Sequence, residues 1–198
     1  MKKRSLTIEN RSLDIIDGLL TFAEHQRFYN YAYKSKYSIQ RESNRLPETR
    51  SLQPTLSCHL NRQEIKEHGF VFIPAVNSFI RENKLRIHQY YFILGTASDV
   101  YAYHIDNHAE GCKTILCYLN TTWDAEWEGE THFADTSASE ILASISFVPG
   151  RIAIFDSLIP HKSSQPSFKA EHFRIVLTIK LCPEGAPGYD SMIDVENL

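Results

Sequence analysis

From Leu85 onward the sequence breaks into short runs rich in β-branched and aromatic residues, and that rhythm limits the available folds more than any other feature. Arg86–Leu94, Val100–Asp106, Lys113–Asn120, Glu130–Phe133, Ser144–Val148, Arg151–Phe155 and His172–Leu181 each read as a strand. Turn residues punctuate them at Gly95, Asn107 to Gly111, Gly129 and Pro149-Gly150. Strands at this spacing predict a mainly β fold, a sandwich or barrel, rather than alternating β-α units.

The first third of the chain carries helix signals instead. Leu13–Ile16 suggests a short edge strand closed by an Asp17-Gly18 turn. Thr21-x-x-Glu24 has the spacing of a capping box, in which hydroxyl and carboxylate each satisfy a free backbone donor at a helix start. The helix it opens should reach Tyr33 or Lys34 and pack through Phe22, Phe28, Tyr29 and Ala32. Asn61 or Arg62 caps a second helix that Gly69 interrupts, and a further piece runs from Pro74 to Glu82. These helices, mainly within residues 1–84, would buttress one face of a β core spanning about 85–181. Residues 36–61 are polar, part strand and part loop, and 182–198 read as a flap or a frayed tail. No repeat, linker or composition shift marks a boundary, so one domain over 1–198 is expected.

Hydrophobic residues at 42% and charged residues at 23% are ordinary globular proportions. A net charge of −3 argues against a general nucleic-acid binder but leaves room for a local basic pocket. Met1-Lys-Lys-Arg4 imitates the basic head of a secretion signal, yet Ser5 to Arg11 supplies no apolar core after it. No stretch approaches the roughly 20 apolar residues of a membrane span. A soluble, cytoplasmic protein with no membrane partner is expected. Cys58, Cys112, Cys117 and Cys182 show no CxxC spacing and read as free buried thiols. Oligomeric state leaves no trace in the sequence.

The chemistry concentrates in Tyr101-Ala-Tyr-His104-Ile-Asp106-Asn107. On a strand, alternation would project His104 and Asp106 from the same side. Two ligands hold a divalent metal poorly, and His161, in Asp156-Ser-Leu-Ile-Pro160-His161, is the best third. Two histidines and a carboxylate leave coordination positions open, the arrangement of non-haem Fe(II) oxygenases. Arg174, Val176 and Thr178 share a strand face. Inside a barrel an unpaired guanidinium there would be costly, so Arg174 requires an anion. A carboxylate fits best, each charge-assisted hydrogen bond contributing roughly 1.5–3 kcal/mol.

Taken in order, these elements resemble the Fe(II)/2-oxoglutarate-dependent dioxygenases, specifically the prolyl-4-hydroxylase-like group. The likeness rests on Tyr101-x-x-His104-x-Asp106, Thr114-Ile-Leu-Cys-Tyr118-Leu-Asn120, Trp123-Asp124, Glu128-Gly-Glu-Thr-His-Phe133, Pro149-Gly-Arg-Ile-Ala-Ile-Phe155-Asp156, His161 and Arg174. It spans Arg86 to Leu181, about half the chain. The resemblance implies a double-stranded β-helix (jelly-roll, cupin-like) core with His104, Asp106 and His161 as catalytic iron ligands. It implies Arg174 on the distal carboxylate of 2-oxoglutarate, with Tyr118 reaching the same group, Tyr90 as another pocket tyrosine and Thr178 adding a hydroxyl. Fe(II), 2-oxoglutarate and O2 are then the cofactor and cosubstrates. Because Asp106 keeps its carboxylate, no protein-ligand position is open to a halide, and hydroxylation is favoured over halogenation, with desaturation or ring formation as the remaining alternatives. The chain departs from the family in having Glu128-Gly129-Glu130 where Gly-Gly-Glu is common, and Arg174 where many collagen-type members carry lysine.

The substrate is expected to be a small molecule or a peptide: a prolyl residue, an amino acid or another metabolite. Tyr101, Tyr103, Asn107 and Trp123 are candidates for its entrance, and Arg41 and Arg45 for gripping an acidic group. Two other classes compete. A zinc hydrolase could use the same three ligands but leaves Arg174 unexplained. A non-catalytic metal- and 2-oxoglutarate-binding sensor would retain both.

Overall fold

Local hydrogen bonds start the helices at the capping signals. In the computed structural model, which describes residues 1–40 and 55–198, α1 spans Phe22–Lys34. Glu24 N–H donates to Thr21 Oγ1 while Thr21 N–H donates to Glu24 Oε2, the reciprocal capping box. Phe28 and Ala32 are fully buried, but Phe22, at the first helical position, stays 79% exposed. The packing stripe begins one turn later than expected, at His25. Asn61 and Glu64 repeat the box at α2 (Arg62–His68), which Gly69 ends in the left-handed region at φ +76°. Pro74 opens α3 (Pro74–Glu82), where its missing N–H costs nothing.

Among the described residues the strands are β1 (Lys2–Ile8), β2 (Arg11–Asp17), β3 (Ser38–Gln40), β4 (Thr55–His59), β5 (Leu85–Gly95), β6 (Lys113–Tyr118), β7 (Thr131–Ala134), β8 (Ile141–Ile145), β9 (Ile152–Asp156), β10 (His161–Ser163) and β11 (Arg174–Pro183). They form an eight-stranded sheet in the order β1-β2-β9-β6-β11-β5-β4-β3 and a three-stranded sheet β10-β7-β8. The pairings are antiparallel, as a mainly β sandwich requires. Leu13–Ile16 is not an edge: β1 pairs outside β2 and takes that place. β8 lies earlier than the expected Ser144–Val148.

Alternation sorts the two faces of the large sheet. Ile175, Leu177, Ile179 and Leu181 of β11, with Ile115 and Cys117 of β6, pack on the helix side against Phe28, Ile65, Val76 and Ile80. The intervening residues face the small sheet, where Leu116, Tyr118, Val176, Phe133, Ile145 and Phe155 form a second cluster. Arg174 and Thr178 lie on this inner face. The tail is neither flap nor frayed end. Ile193 exchanges backbone hydrogen bonds with Ile87 at 2.8 and 2.9 Å, Val195 joins the helix-side core, and Met192 packs on Cys112 and Cys182. No helix among the described residues is long and apolar enough to cross a membrane.

Candidate metal and cosubstrate site

The segment expected as a strand over Val100–Asp106 has no ladder. Its backbone is pinned at two points instead: His104 and His161 exchange N–H···O bonds of 3.1 and 2.9 Å, and Asp106 N–H donates to Ser157 O at 2.9 Å. His161 is itself the first residue of β10, held to Phe133 of β7. The expected alternation of His104 and Asp106 along one strand is therefore replaced by these two backbone ties, the first of which also brings His161 beside them.

The side chains of His104, Asp106 and His161 offer ligand atoms within 4.8 Å of one another, a group that could hold a metal ion. His104 Nδ1 lies 3.2 Å from Ala102 O, and His161 Nδ1 lies 2.9 Å from Ile159 O. A carbonyl can only accept, so each Nδ1 carries the proton and each Nε2 presents a lone pair inward. His161 Nε2 is 3.3 Å from Asp106 Oδ2, and His104 Nε2 is 3.7 Å from Oδ1. Burial pushes the Asp106 carboxyl up, but the Lys180 ammonium beside it holds it well below the usual carboxylate range.

These groups line a cleft that also contains Arg174, Thr178, Thr131, Tyr91 and Tyr101. Arg174 is 1% exposed, and burial lowers its pKa against the opposing influence of Tyr118. Its Nε donates to Gly129 O at 2.7 Å and its Nη2 to Thr131 Oγ1 at 3.3 Å, but among the described residues no carboxylate pairs with it. The Thr178 hydroxyl, buried on the same face, also has no hydrogen-bond partner there. A buried cation without a counter-ion and an orphaned hydroxyl fit a dicarboxylate such as 2-oxoglutarate. Gly129 makes room for the guanidinium: its φ is +85°, and a Cβ would sit 3.2 Å from Arg174 Cδ.

Several expected site residues lie elsewhere. Tyr90 faces the helices, where its hydroxyl hydrogen-bonds His68 Nδ1 in a buried aromatic cluster. The cause is a register shift: Lys180 opposes Gln89, but Leu181 opposes Ile87, so His88 is extra in β5 and alternation reverses there. Tyr91 takes the cleft position that Tyr90 was expected to hold. Tyr118 flanks Arg174 with its ring centroid 5.6 Å from the guanidinium carbon, and its hydroxyl donates to Thr131 Oγ1 at 2.8 Å. Thr131 thus accepts from both Tyr118 and Arg174, leaving its own proton for a ligand.

Tyr101 lines the cleft, its hydroxyl donating to Asp99 at 3.0 Å. Tyr103 lies outside it, under the Lys162 ammonium. Asn107 is a loop tie, donating to Cys182 Sγ and accepting from Ala109 N–H. Trp123 donates to Glu128 O and packs on Phe147 behind the cleft wall. Arg41 and Arg45 lie outside the described residues. The sequence reading missed Thr114 and Lys180, both in contact with Asp106. Extending the Arg174, Val176, Thr178 alternation by one step would have placed Lys180 on the inner face.

The pattern that defines the 2OG-Fe(II) oxygenase superfamily matches residues 85–179, the stretch that carries all four key groups. Just under half of the chain therefore carries the pattern of the 2OG-Fe(II) oxygenase superfamily. No curated protein matches its sequence. Among solved structures, this oxygenase is similar to a prolyl-4-hydroxylase of Pseudomonas putida, with a TM-score of 0.62 and 15% identity over 87% of this chain and 93% of that one. A Trichoplax adhaerens prolyl hydroxylase in complex with a hypoxia inducible factor peptide fragment gives 0.61 and 17%, over 87% and 84% of the two chains. HygX of Streptomyces hygroscopicus, with nickel, 2-oxoglutarate and hygromycin B bound, gives 0.64 and 11%, over 87% and 83%. At these identities the likeness concerns the fold, the double-stranded β-helix. The superfamily's Fe(II) and 2-oxoglutarate fit the His104, Asp106 and His161 group and the buried Arg174.

Proposed function

We propose that this oxygenase hydroxylates a C–H bond of a prolyl residue, a free amino acid or another small metabolite, with His104, Asp106 and His161 as its iron ligands. Arg174 receives the distal carboxylate of 2-oxoglutarate, with Thr131 and Thr178 offering hydroxyls beside it. The observation that carries the reading is the buried Arg174 guanidinium, which shares one cleft with the three ligand atoms and has no carboxylate partner among the described residues.

When bound, the iron supplies the oxidising chemistry that couples decarboxylation of 2-oxoglutarate to oxidation of the substrate. The chain's own contribution is positional. His104 and His161 keep their Nδ1 protons on backbone carbonyls, so that Nε2 points inward. Arg174 selects a dicarboxylate of fixed reach, and the surrounding Val176, Leu116 and Ile93 exclude water. Tyr101, at the cleft wall, contacts the substrate.

The similar structures agree with an oxygenase reading without narrowing the substrate, since one holds a peptide fragment and another hygromycin B. The test is succinate and CO2 release with Fe(II), in the presence of panels of prolyl peptides, amino acids and small metabolites. Turnover stimulated by one panel identifies the class. Bound zinc without succinate release would replace this reading with a hydrolase, and 2-oxoglutarate binding without turnover in any panel would replace it with a sensor.

A further inference from the structure

Asp106 reaches the cleft from a segment without a ladder, so its carboxylate cannot take its orientation from strand geometry. The large sheet provides that orientation. Thr114 of β6 and Lys180 of β11 are direct cross-strand partners, and both project to the inner face. Thr114 Oγ1 lies 2.7 Å from Asp106 Oδ2, and Lys180 Nζ lies 2.9 Å from Oδ1. One partner therefore engages each carboxylate oxygen.

The Thr114 contact has a fixed direction. Ionised Asp106 can only accept, so Thr114 gives it the hydroxyl proton, and Ser157 Oγ, 3.0 Å from Thr114 Oγ1, becomes the donor to Thr114. This neutral chain orients the carboxylate without changing its charge. Lys180 is different in kind. It is only 8% exposed and brings a full positive charge to the carboxylate that the functional reading makes a metal ligand. A dication and an ammonium drawn to one carboxylate repel each other, and weak solvent screening strengthens that repulsion.

We propose that Thr114 and Lys180 are positioning residues of opposite effect: the Thr114 hydroxyl orients Asp106 for the metal, whereas the Lys180 ammonium competes for it and holds metal affinity down. The inference rests on the proposed iron site, and its consequence is a metal that exchanges readily. Neither residue needs to touch substrate or cosubstrate.

Mn(II) binding to the metal-free full chain, read as the loss of the free-ion electron paramagnetic resonance signal, tests both parts without relying on turnover. Thr114→Val should weaken Mn(II) at least tenfold, in line with the usual 10- to 100-fold effect of groups that orient a ligand. Lys180→Met should tighten it at least tenfold, and Lys180→Gln, which keeps a donor but no charge, should move in the same direction. A purely structural role would weaken binding in all three variants, so unchanged or weaker binding by both Lys180 variants overturns the assignment. Unchanged binding by Thr114→Val overturns its half. Failure of the unaltered chain to bind Mn(II) would instead reject the iron site itself, which separates the two failures.

Discussion

His104 and His161 hold each other by backbone: each donates its N–H to the other's carbonyl, at 3.1 and 2.9 Å, and their ring centroids lie 4.5 Å apart. The bridge is independent of either imidazole. Replacing a ring should therefore remove a ligand while leaving the scaffold in place.

His104→Ala, His161→Ala and Asp106→Ala are each expected to lower succinate formation at least 100-fold, with iron content falling in parallel. The histidine variants should melt within a few degrees of the unaltered chain. A variant with full iron and normal turnover would contradict the ligand assignment. Chelation should abolish turnover in the unaltered protein and added Fe(II) restore it, as metal analysis alongside the assay would show.

On the proposed reading, Arg174 contributes mainly to cosubstrate binding. Loss of one or two charge-assisted hydrogen bonds, at roughly 1.5–3 kcal/mol each, corresponds to a rise in the KM for 2-oxoglutarate of about 10-fold or more in Arg174→Met. Metal affinity should change little. Saturation kinetics and Mn(II) titration on the same preparation distinguish the two effects.

Gly129→Ala strikes the same interaction from behind. The residue has φ +85°, and the added methyl would meet both Arg174 Cδ at 3.2 Å and Trp123 Cζ2 at 3.3 Å. A stability loss of about 1–3 kcal/mol is expected from backbone strain, together with a raised KM for 2-oxoglutarate. Denaturant titration and steady-state kinetics would reveal each.

His68 should shape stability in mild acid. Burial, reinforced by the Arg27 charge, lowers its pKa from 6.5 to about 3. The folded protein therefore takes up no proton there between those values, while the unfolded chain does. The contribution is fully present above pH 6.5 and is lost progressively as pH falls toward 3, with a slope approaching about 1.4 kcal/mol per pH unit. Urea titrations of the unaltered chain and of His68→Phe across that window should show a shallower slope in the variant, by up to about 1.4 kcal/mol per pH unit.

The sequence was most legible where a structural signal closes within a few residues. Thr21 with Glu24 and Asn61 with Glu64 mark helix starts because each capping box spans a single turn. Alternation along Arg174, Val176 and Thr178 reads correctly because β11 is regular over that stretch. The order of motifs was enough to indicate the family.

What only the tertiary structure decided lies where distant segments meet. One extra residue in β5 reverses which tyrosine enters the cleft, and alternation on either side of His88 is equally good without showing the break. The His104–His161 bridge and the Thr114–Lys180 register join residues far apart in the chain, through backbone pairings that no local pattern specifies. Local hydrogen bonds and periodicity depend on neighbours in sequence. The pairing of Lys180 with the Asp106 carboxylate depends on which strands lie side by side, and that is settled only when the whole sheet forms.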